Sequence, residues 1–186
     1  MRIVGGAFKG RPIVAPKGVG TRPTTDRTRE SLFNILHHRD GFSFDGIRVI
    51  DLFAGSGALG CEAMSRGGAF CLFVETAAAA RGAIRQNQET LALTGATRIH
   101  RRSATGLGPK PNGIGEGFDL AFLDPPYGEG LVDPALTALR DGEWMVKGAL
   151  CVVEQSKSDP EPQVEGFTLD DERQFGDSMV RFLVVA

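Results

Sequence analysis

The sequence predicts an α/β protein: a doubly wound, mostly parallel seven-stranded sheet with a C-terminal antiparallel hairpin and a small N-terminal β-hairpin/helix extension. Three observations carry this prediction. From residue 47 onward, short continuous apolar runs alternate with helical patterns, as expected for a parallel sheet covered on both faces. The first run leads straight into a glycine turn that opens a helix, the arrangement found at the ligand-binding edge of doubly wound sheets. The last two runs are separated only by the turn-like GDS, which makes them a hairpin.

Each element has its own signal. RIVGGAFKGRPIVAP carries short β-like runs around Gly5-Gly6 and Gly10, which predicts the N-terminal hairpin. In RPTTDRTRESLFNILHHR, Thr24, Thr25 or Asp26 can cap a helix whose Leu32, Phe33, Ile35 and Leu36 share one face, and Gly41 stops it. IRVIDLF (47–53) is the first strand of the sheet, GALGCEAMSRG a helix closed by glycines, and AFCLFVE (69–75) the second strand. The alanine-rich TAAAARGAIRQNQETLAL is a long helix, and TRIHRR (97–102) the third strand. FDLAFLD (118–124) and GALCVVEQ (148–155) are the fourth and fifth, joined by LVDPALTALRDG, a helix that tolerates Pro134 in its first turn. FTLDDERQF and MVRFLVV form the closing hairpin. Residues 104–117 hold five glycines and two prolines and read as a flexible loop. Two units are expected: a basic hairpin and helix over 1–40, and the sheet domain over 41–186.

The 186 residues are 41% hydrophobic and 24% charged, in the range of one soluble globular domain. No apolar run approaches the ~18 residues of a membrane span, and the first residues lack the apolar stretch of a signal peptide. Cys61, Cys71 and Cys151 lie far apart in apolar surroundings, which reads as reduced core thiols in a cytoplasmic protein. His37, His38 and His100 have no ligand-like neighbours, so no metal site is expected. The net charge of −2 hides an asymmetry. Residues 1–39 carry eight Lys/Arg against Asp26 and Glu30, a net of +6, which leaves 13 bases against 21 acids in the other 147 residues. A basic arm on an acidic body suggests a polyanion gripped on one face, and Asp26 and Glu30 can neutralise part of that charge through helix ion pairs.

DLFAGSGALG contains Gly55-x-Gly57-x-x-Gly60, and Glu75 ends the next strand twenty positions after Gly55. This layout fits a nucleoside cofactor: glycines admit a close backbone approach, the helix N-terminus offers N–H groups, and Glu75 can accept from ribose hydroxyls. The pattern alone favours NAD. Asp51, inside the apolar run just before the glycines, opposes it, because a carboxylate is unfavourable beside a pyrophosphate. It would be favourable beside the ammonium and sulfonium of S-adenosyl-L-methionine.

AFLDPPYG, residues 121–128, points the same way. An exocyclic purine amine is a poor nucleophile because its lone pair is delocalised into the ring. Asp124 and the carbonyl of Pro125 can accept both of its N–H groups, Pro125 and Pro126 stiffen that geometry, and Tyr127 offers a face for stacking the base, worth roughly 1–3 kcal/mol. These residues serve adenine N6 and guanine N2 equally.

D-P-P-Y on a fourth-strand tip, after a D-x-F-x-G-S-G loop, resembles the amino-methyltransferases of adenine N6 or guanine N2. With RIVGG, KGR and RPTTDRTRESLFN in order before them, these motifs closely resemble the bacterial 16S ribosomal RNA guanine-N2 methyltransferases of the D type. The resemblance is weakest in 104–117 and 156–175. It implies a Rossmann-like methyltransferase sheet, S-adenosyl-L-methionine as methyl donor, and a loop guanine of 16S rRNA in the assembling 30S subunit as substrate of a monomeric enzyme. It further implies that Asp51, Phe53, Gly55 and Gly57 line the methionine and ribose part of the cofactor, and that Glu75 holds the ribose. Ser103 and Ala104 would border the adenine, with Ser103 standing where relatives have Asp or Asn. Thr25 would lie in the helix that closes over the methionine end. Arg2, Lys9, Arg11, Lys17, Arg22 and Arg27 would grip RNA phosphates while the base enters the pocket.

Overall fold

The protein is described here from a computed structural model covering residues 1–18 and 24–186. The strands are β1 (Arg48–Leu52), β2 (Phe70–Val74), β3 (Thr97–His100), β4 (Phe118–Leu123), β5 (Met145–Ser156), β6 (Phe167–Phe175) and β7 (Ser178–Val185). They form one seven-stranded sheet in the order β3-β2-β1-β4-β5-β7-β6. β1 to β5 are mutually parallel, and β7 inserts antiparallel between β5 and β6. The α-helices among the described residues are α1 (Asp26–His37), α2 (Ala58–Ser65), α3 (Ala78–Thr90) and α4 (Val132–Asp141).

Alternation along each strand splits the core into two layers. Val49, Phe73, Phe122, Val152 and Phe182 face α1, α2 and α3, where Phe33, Leu36, Cys61 and Ile84 pack against them. Ile50, Leu72, Leu123 and Val153 face the other way, onto Ala135, Leu136 and Leu139 of α4 and the fully buried Trp144. A strand flanked on both faces must be apolar at every position, which is why these runs read as continuous.

Two stretches depart from the expectation. β5 begins at Met145 rather than near 148, because the β4–β5 register slips between Phe118 and Leu120, opposite Met145 and Leu150. Gly148, at φ +79°, lies in that irregularity and interrupts the apolar pattern. The β3–β4 connection, expected as a flexible loop, is pinned instead. Leu107 is buried, Trp144 Nε1 donates to the carbonyl of Gly108 at 2.8 Å, and Lys110 N–H donates to Gly142 at 2.9 Å. Only a 3₁₀ turn at Asn112–Ile114 interrupts its irregular path.

The N-terminal hairpin is a short antiparallel return, bridged at Arg2 and Pro12 and turned through a 3₁₀ segment at Gly6–Phe8. It is fastened to the body. Glu62 of α2, fully buried, accepts from the backbone N–H of Val4 at 2.9 Å and of Gly5 at 3.0 Å. The same carboxylate takes Arg29 Nε at 3.3 Å and Arg66 Nε at 3.1 Å. Gly6 lies so close to Ser65 that a Cβ would come within 2.1 Å of its carbonyl oxygen. Asn87 of α3 pairs with both the N–H and the carbonyl of Val14, at 2.8 and 3.0 Å, as a strand neighbour would.

Candidate active site

The C-terminal edge of the parallel strands opens into a cleft of about 830 Å³, near the upper end of the range for small-molecule sites. Its floor is the β1–α2 turn. Asp51 lies on β1 with 1% of its surface exposed, between Phe73 and Phe122 of the flanking strands. It accepts the N–H of Gly60 at 3.0 Å. Burial pushes its carboxyl well above the usual carboxylate range; the Gly60 bond opposes this, and the nearby charges of Asp124 and Glu75 add to it. A buried acid of this kind becomes stable in its ionised form once a cation lies beside it.

The chain then turns through left-handed residues: Phe53 at φ +57°, Gly55 at +59° and Gly57 at +78°. The glycines divide the work. A Cβ on Gly55 would meet nothing within 4 Å, whereas one on Gly60 would come within 2.6 Å of both Cys71 Sγ and Phe73 Cε1. Gly55 therefore leaves room at the cleft surface, and Gly60 lets α2 pack closely on β2. Glu75 accepts the N–H of Gly55 at 2.8 Å with one carboxylate oxygen and that of Ala77 at 2.9 Å with the other. It clamps the turn to the end of β2, and a carboxylate has enough lone pairs to do this and still accept from hydroxyls.

Opposite, Asp124, Pro125, Pro126 and Tyr127 continue from β4 and line the cleft. β4 adjoins β1, with Leu52 level with Leu123, so the acid of the tip faces the glycine turn. Tyr127 is held by its hydroxyl, which bonds to Ser178 Oγ and donates to Glu154 Oε1 at 3.4 Å. Thr24 reaches over from the N-terminal side of α1, with its Oγ1 3.5 Å from Asp124 Oδ2 and 3.4 Å from Glu154 Oε2.

The structure thus gathers Asp51, Phe53, Gly55, Glu75, Ser103, Ala104 and the four residues Asp124 to Tyr127 around one cleft. Gly57 and Thr25 fall outside its lining. Gly57 is buried against Phe73 and caps α2. Thr25 caps α1, its Oγ1 accepting from Thr28 N–H at 3.1 Å, and it is Thr24 that faces the cleft. Lys9, Lys17 and Arg27 are exposed. Arg2 and Arg11, also exposed, donate to the carbonyls of Gly10 at 2.8 Å and Thr90 at 2.6 Å. Arg22 lies outside the described residues. The three cysteines are buried thiols. No group of three or more metal-ligating side chains occurs among the described residues, and no helix there is long and apolar enough to cross a membrane.

Sequence reasoning singled out Thr25 of the TTDRTR segment over Thr24, and missed Glu154 and the cleft residue Arg102, whose guanidinium donates to the carbonyl of Leu107. Glu154 had a readable signal: like Glu75 and Asp124, it is an acid closing an apolar run on a parallel strand.

Strand order, glycine turn and cleft together define the class, a Rossmann-like methyltransferase fold. Within it, the chain belongs to the family described as Conserved hypothetical protein 95, whose model matches residues 1–184. The Bacillus subtilis protein YlbH is 38% identical over 166 residues, covering 89% of this chain and 88% of that one. Ribosomal RNA small subunit methyltransferase D of Escherichia coli K12 is 35% identical over 164 residues, or 88% of this chain and 79% of the relative. The solved structure of Escherichia coli yhhF superposes with a TM-score of 0.82 at 33% identity, covering 100% of this chain and 97% of that one.

Proposed function

We propose that this protein is an S-adenosylmethionine-dependent ribosomal RNA methyltransferase, and that its acceptor is the exocyclic N2 amine of a loop guanine in 16S rRNA. The observation that carries the reading is the position of Asp124, which faces Asp51 and the glycine turn across one cleft. The relative named ribosomal RNA small subunit methyltransferase D, aligned over 88% of this chain, supports RNA of the small subunit as the substrate class. A cytoplasmic monomer fits this role.

The cleft suits the donor. Asp51 provides a buried acid that favours a neighbouring cation, Gly55 leaves open space, and Glu75 keeps lone pairs for ribose hydroxyls. Ser103 and Ala104 line the same cleft. When bound, S-adenosylmethionine supplies an electrophilic methyl group on a sulfonium. The protein's own residues prepare the acceptor. Asp124 and the Pro125 carbonyl accept from the amine, which localises its lone pair, and Asp124 is placed to take the proton that the alkylated amine releases. Tyr127, its hydroxyl anchored on β5 and β7, is a fixed wall for the base. Alignment in a closed cleft does much of the rest.

The test is transfer of labelled methyl groups to 30S particles, free rRNA and duplex DNA, with mass mapping of the product. N2-methylguanine in the small-subunit RNA is expected, absent with Asp124→Ala while S-adenosylmethionine binding by calorimetry survives. N6-methyladenine as the product, or an active Asp124→Ala, would remove the reading.

A further inference from the structure

Asp124 and its prolines treat adenine N6 and guanine N2 alike, and ring atom N1, next to the amine in both bases, is one atom that tells them apart. Adenine presents a lone pair there; guanine presents an N–H. We infer that the hydroxyl of Thr24 reads N1 of the target base as a hydrogen-bond acceptor, and that Glu154 fixes the polarity of that hydroxyl. This rests on the guanine-N2 reading above.

The geometry comes from two adjacent strands and one helix. Leu123 of β4 is level with Val153 of β5, so Asp124 and Glu154 follow one residue later, side by side. Phe122 and Val152, two residues before them, point into the core layer beneath α1, and strand alternation puts both acids on that same face. Thr24, preceding α1, lies over the pair. Its Oγ1 is 3.5 Å from Asp124 Oδ2 and 3.4 Å from Glu154 Oε2. A threonine hydroxyl has a single proton. When Glu154 receives it, the proton points away from the cleft, and the hydroxyl shows its lone pairs to the cleft that Thr24 lines. Glu154 does not line that cleft, is 8% exposed, and has its other oxygen 3.4 Å from the Tyr127 hydroxyl. It is therefore a positioning residue for both Thr24 and Tyr127.

An acceptor 3.5 Å from Oδ2 of Asp124 suits two donors on neighbouring atoms of one ring edge. Guanine offers this pair, N1–H beside the N2 amine. 2,6-Diaminopurine has the same amine at position 2 beside a bare N1, and would set lone pair against lone pair. Sites that hydrogen-bond a substrate group reject analogues lacking it, because a buried polar atom is left unpaired.

The experiment compares kcat/KM for guanine and for 2,6-diaminopurine placed at the methylated position of otherwise identical small-subunit RNA, with mass mapping of the modified nitrogen. The parent should prefer guanine by about 10–100-fold, the size expected when one buried polar group is left unpaired. Thr24→Val, which keeps the shape and removes the acceptor, should bring that ratio close to one, and Thr24→Ser should restore it. Glu154→Gln, whose amide can donate to Thr24 and turn its proton outward, should lower guanine transfer and raise diaminopurine transfer. A Thr24→Val enzyme that methylates guanine with the parental ratio overturns the inference and leaves the proposed function standing. A parent that methylates no guanine N2 at all overturns both.

Discussion

Glu62 is the side chain whose loss should do most damage to the arm. It is fully buried, and its two oxygens take two backbone N–H groups and two guanidinium groups, at 2.9 to 3.3 Å. Arg29, equally buried, has besides it the carbonyl of Arg2 and a bond of 2.9 Å to Asp26, whose side chain is 43% exposed. Glu62→Ala therefore leaves a buried cation with one solvent-screened partner, plus two backbone donors without an acceptor. Removing one member of a buried pair costs about 3–5 kcal/mol. For a chain of this size each kcal/mol moves Tm by roughly 2–4 °C, which predicts a fall of about 6–20 °C. Thermal unfolding by circular dichroism measures it, and hydrogen exchange should show Val4 and Gly5 losing protection first. If the penalty comes from the stranded charge, adding Arg29→Met to Glu62→Leu should recover part of the loss, since apolar replacement of both partners is often neutral. A Glu62→Ala protein melting within ~2 °C of the parent, less than a single kcal/mol, would refute the argument. So would additive losses in the double variant.

Asp51 gives a pH-dependent prediction. Its folded-state pKa is raised, so its contribution to stability is fully present below the unfolded value of ~4 and is lost as pH rises through the folded value. Asp51→Asn should match the parent in Tm at acid pH and exceed it increasingly toward alkaline pH, while binding S-adenosylmethionine more weakly; parallel melting curves would contradict this. Gly60→Ala forces a methyl to within 2.6 Å of Cys71 and Phe73 and should destabilise by about 1–3 kcal/mol. Gly55→Ala, in open space at φ +59°, should cost only about 1 kcal/mol of backbone strain; equal melting of the two variants would show that the glycines do not differ in role. Lys9→Gln, Lys17→Gln and Arg27→Gln should each reduce the salt slope of RNA binding by about one. Unchanged slopes in binding titrations would place the RNA elsewhere.

The sheet was legible because strands covered on both faces leave no position for polar residues. FCLFV and FDLAFL, nearly unbroken, became β2 and β4 almost to the residue. The edges were less legible. β5 carries a register slip at a glycine, and no periodicity records a bulge. The β3–β4 connection looked mobile from its glycines because its anchors, Trp144 and Gly142, lie in another segment. The acids at the cleft could be read from spacing within a single strand and turn. Thr24 against Thr25 could not. Both are good caps, and the choice depends on where α1 begins: Thr25 takes the cap, which leaves Thr24 one position earlier, facing the cleft.

That one-residue offset ties the arm to the chemistry. Glu62 holds both the hairpin backbone and Arg29 of α1, Asp26 takes Arg29 from the first turn of the same helix, and Thr24 leads into that turn with its hydroxyl over Asp124. A force that displaces the arm, such as RNA phosphates drawing on Lys9 or Arg27, acts on α1 and so on the residue that faces the base. Loosening the arm should therefore alter base selection before it alters donor binding, because Asp51, on β1, and Glu75, just past β2, make their hydrogen bonds to Gly60, Gly55 and Ala77 and none of these to α1. Glu62→Gln, which keeps the shape but weakens the charge-assisted bonds, separates the two effects. Its affinity for S-adenosylmethionine should stay within about twofold of the parent, while its preference for guanine over 2,6-diaminopurine declines about fivefold or more, roughly 1 kcal/mol, above the few-tenths of a kcal/mol expected if arm and site were independent. Parallel changes in both quantities would mean that the arm supports the whole cleft and not Thr24 in particular.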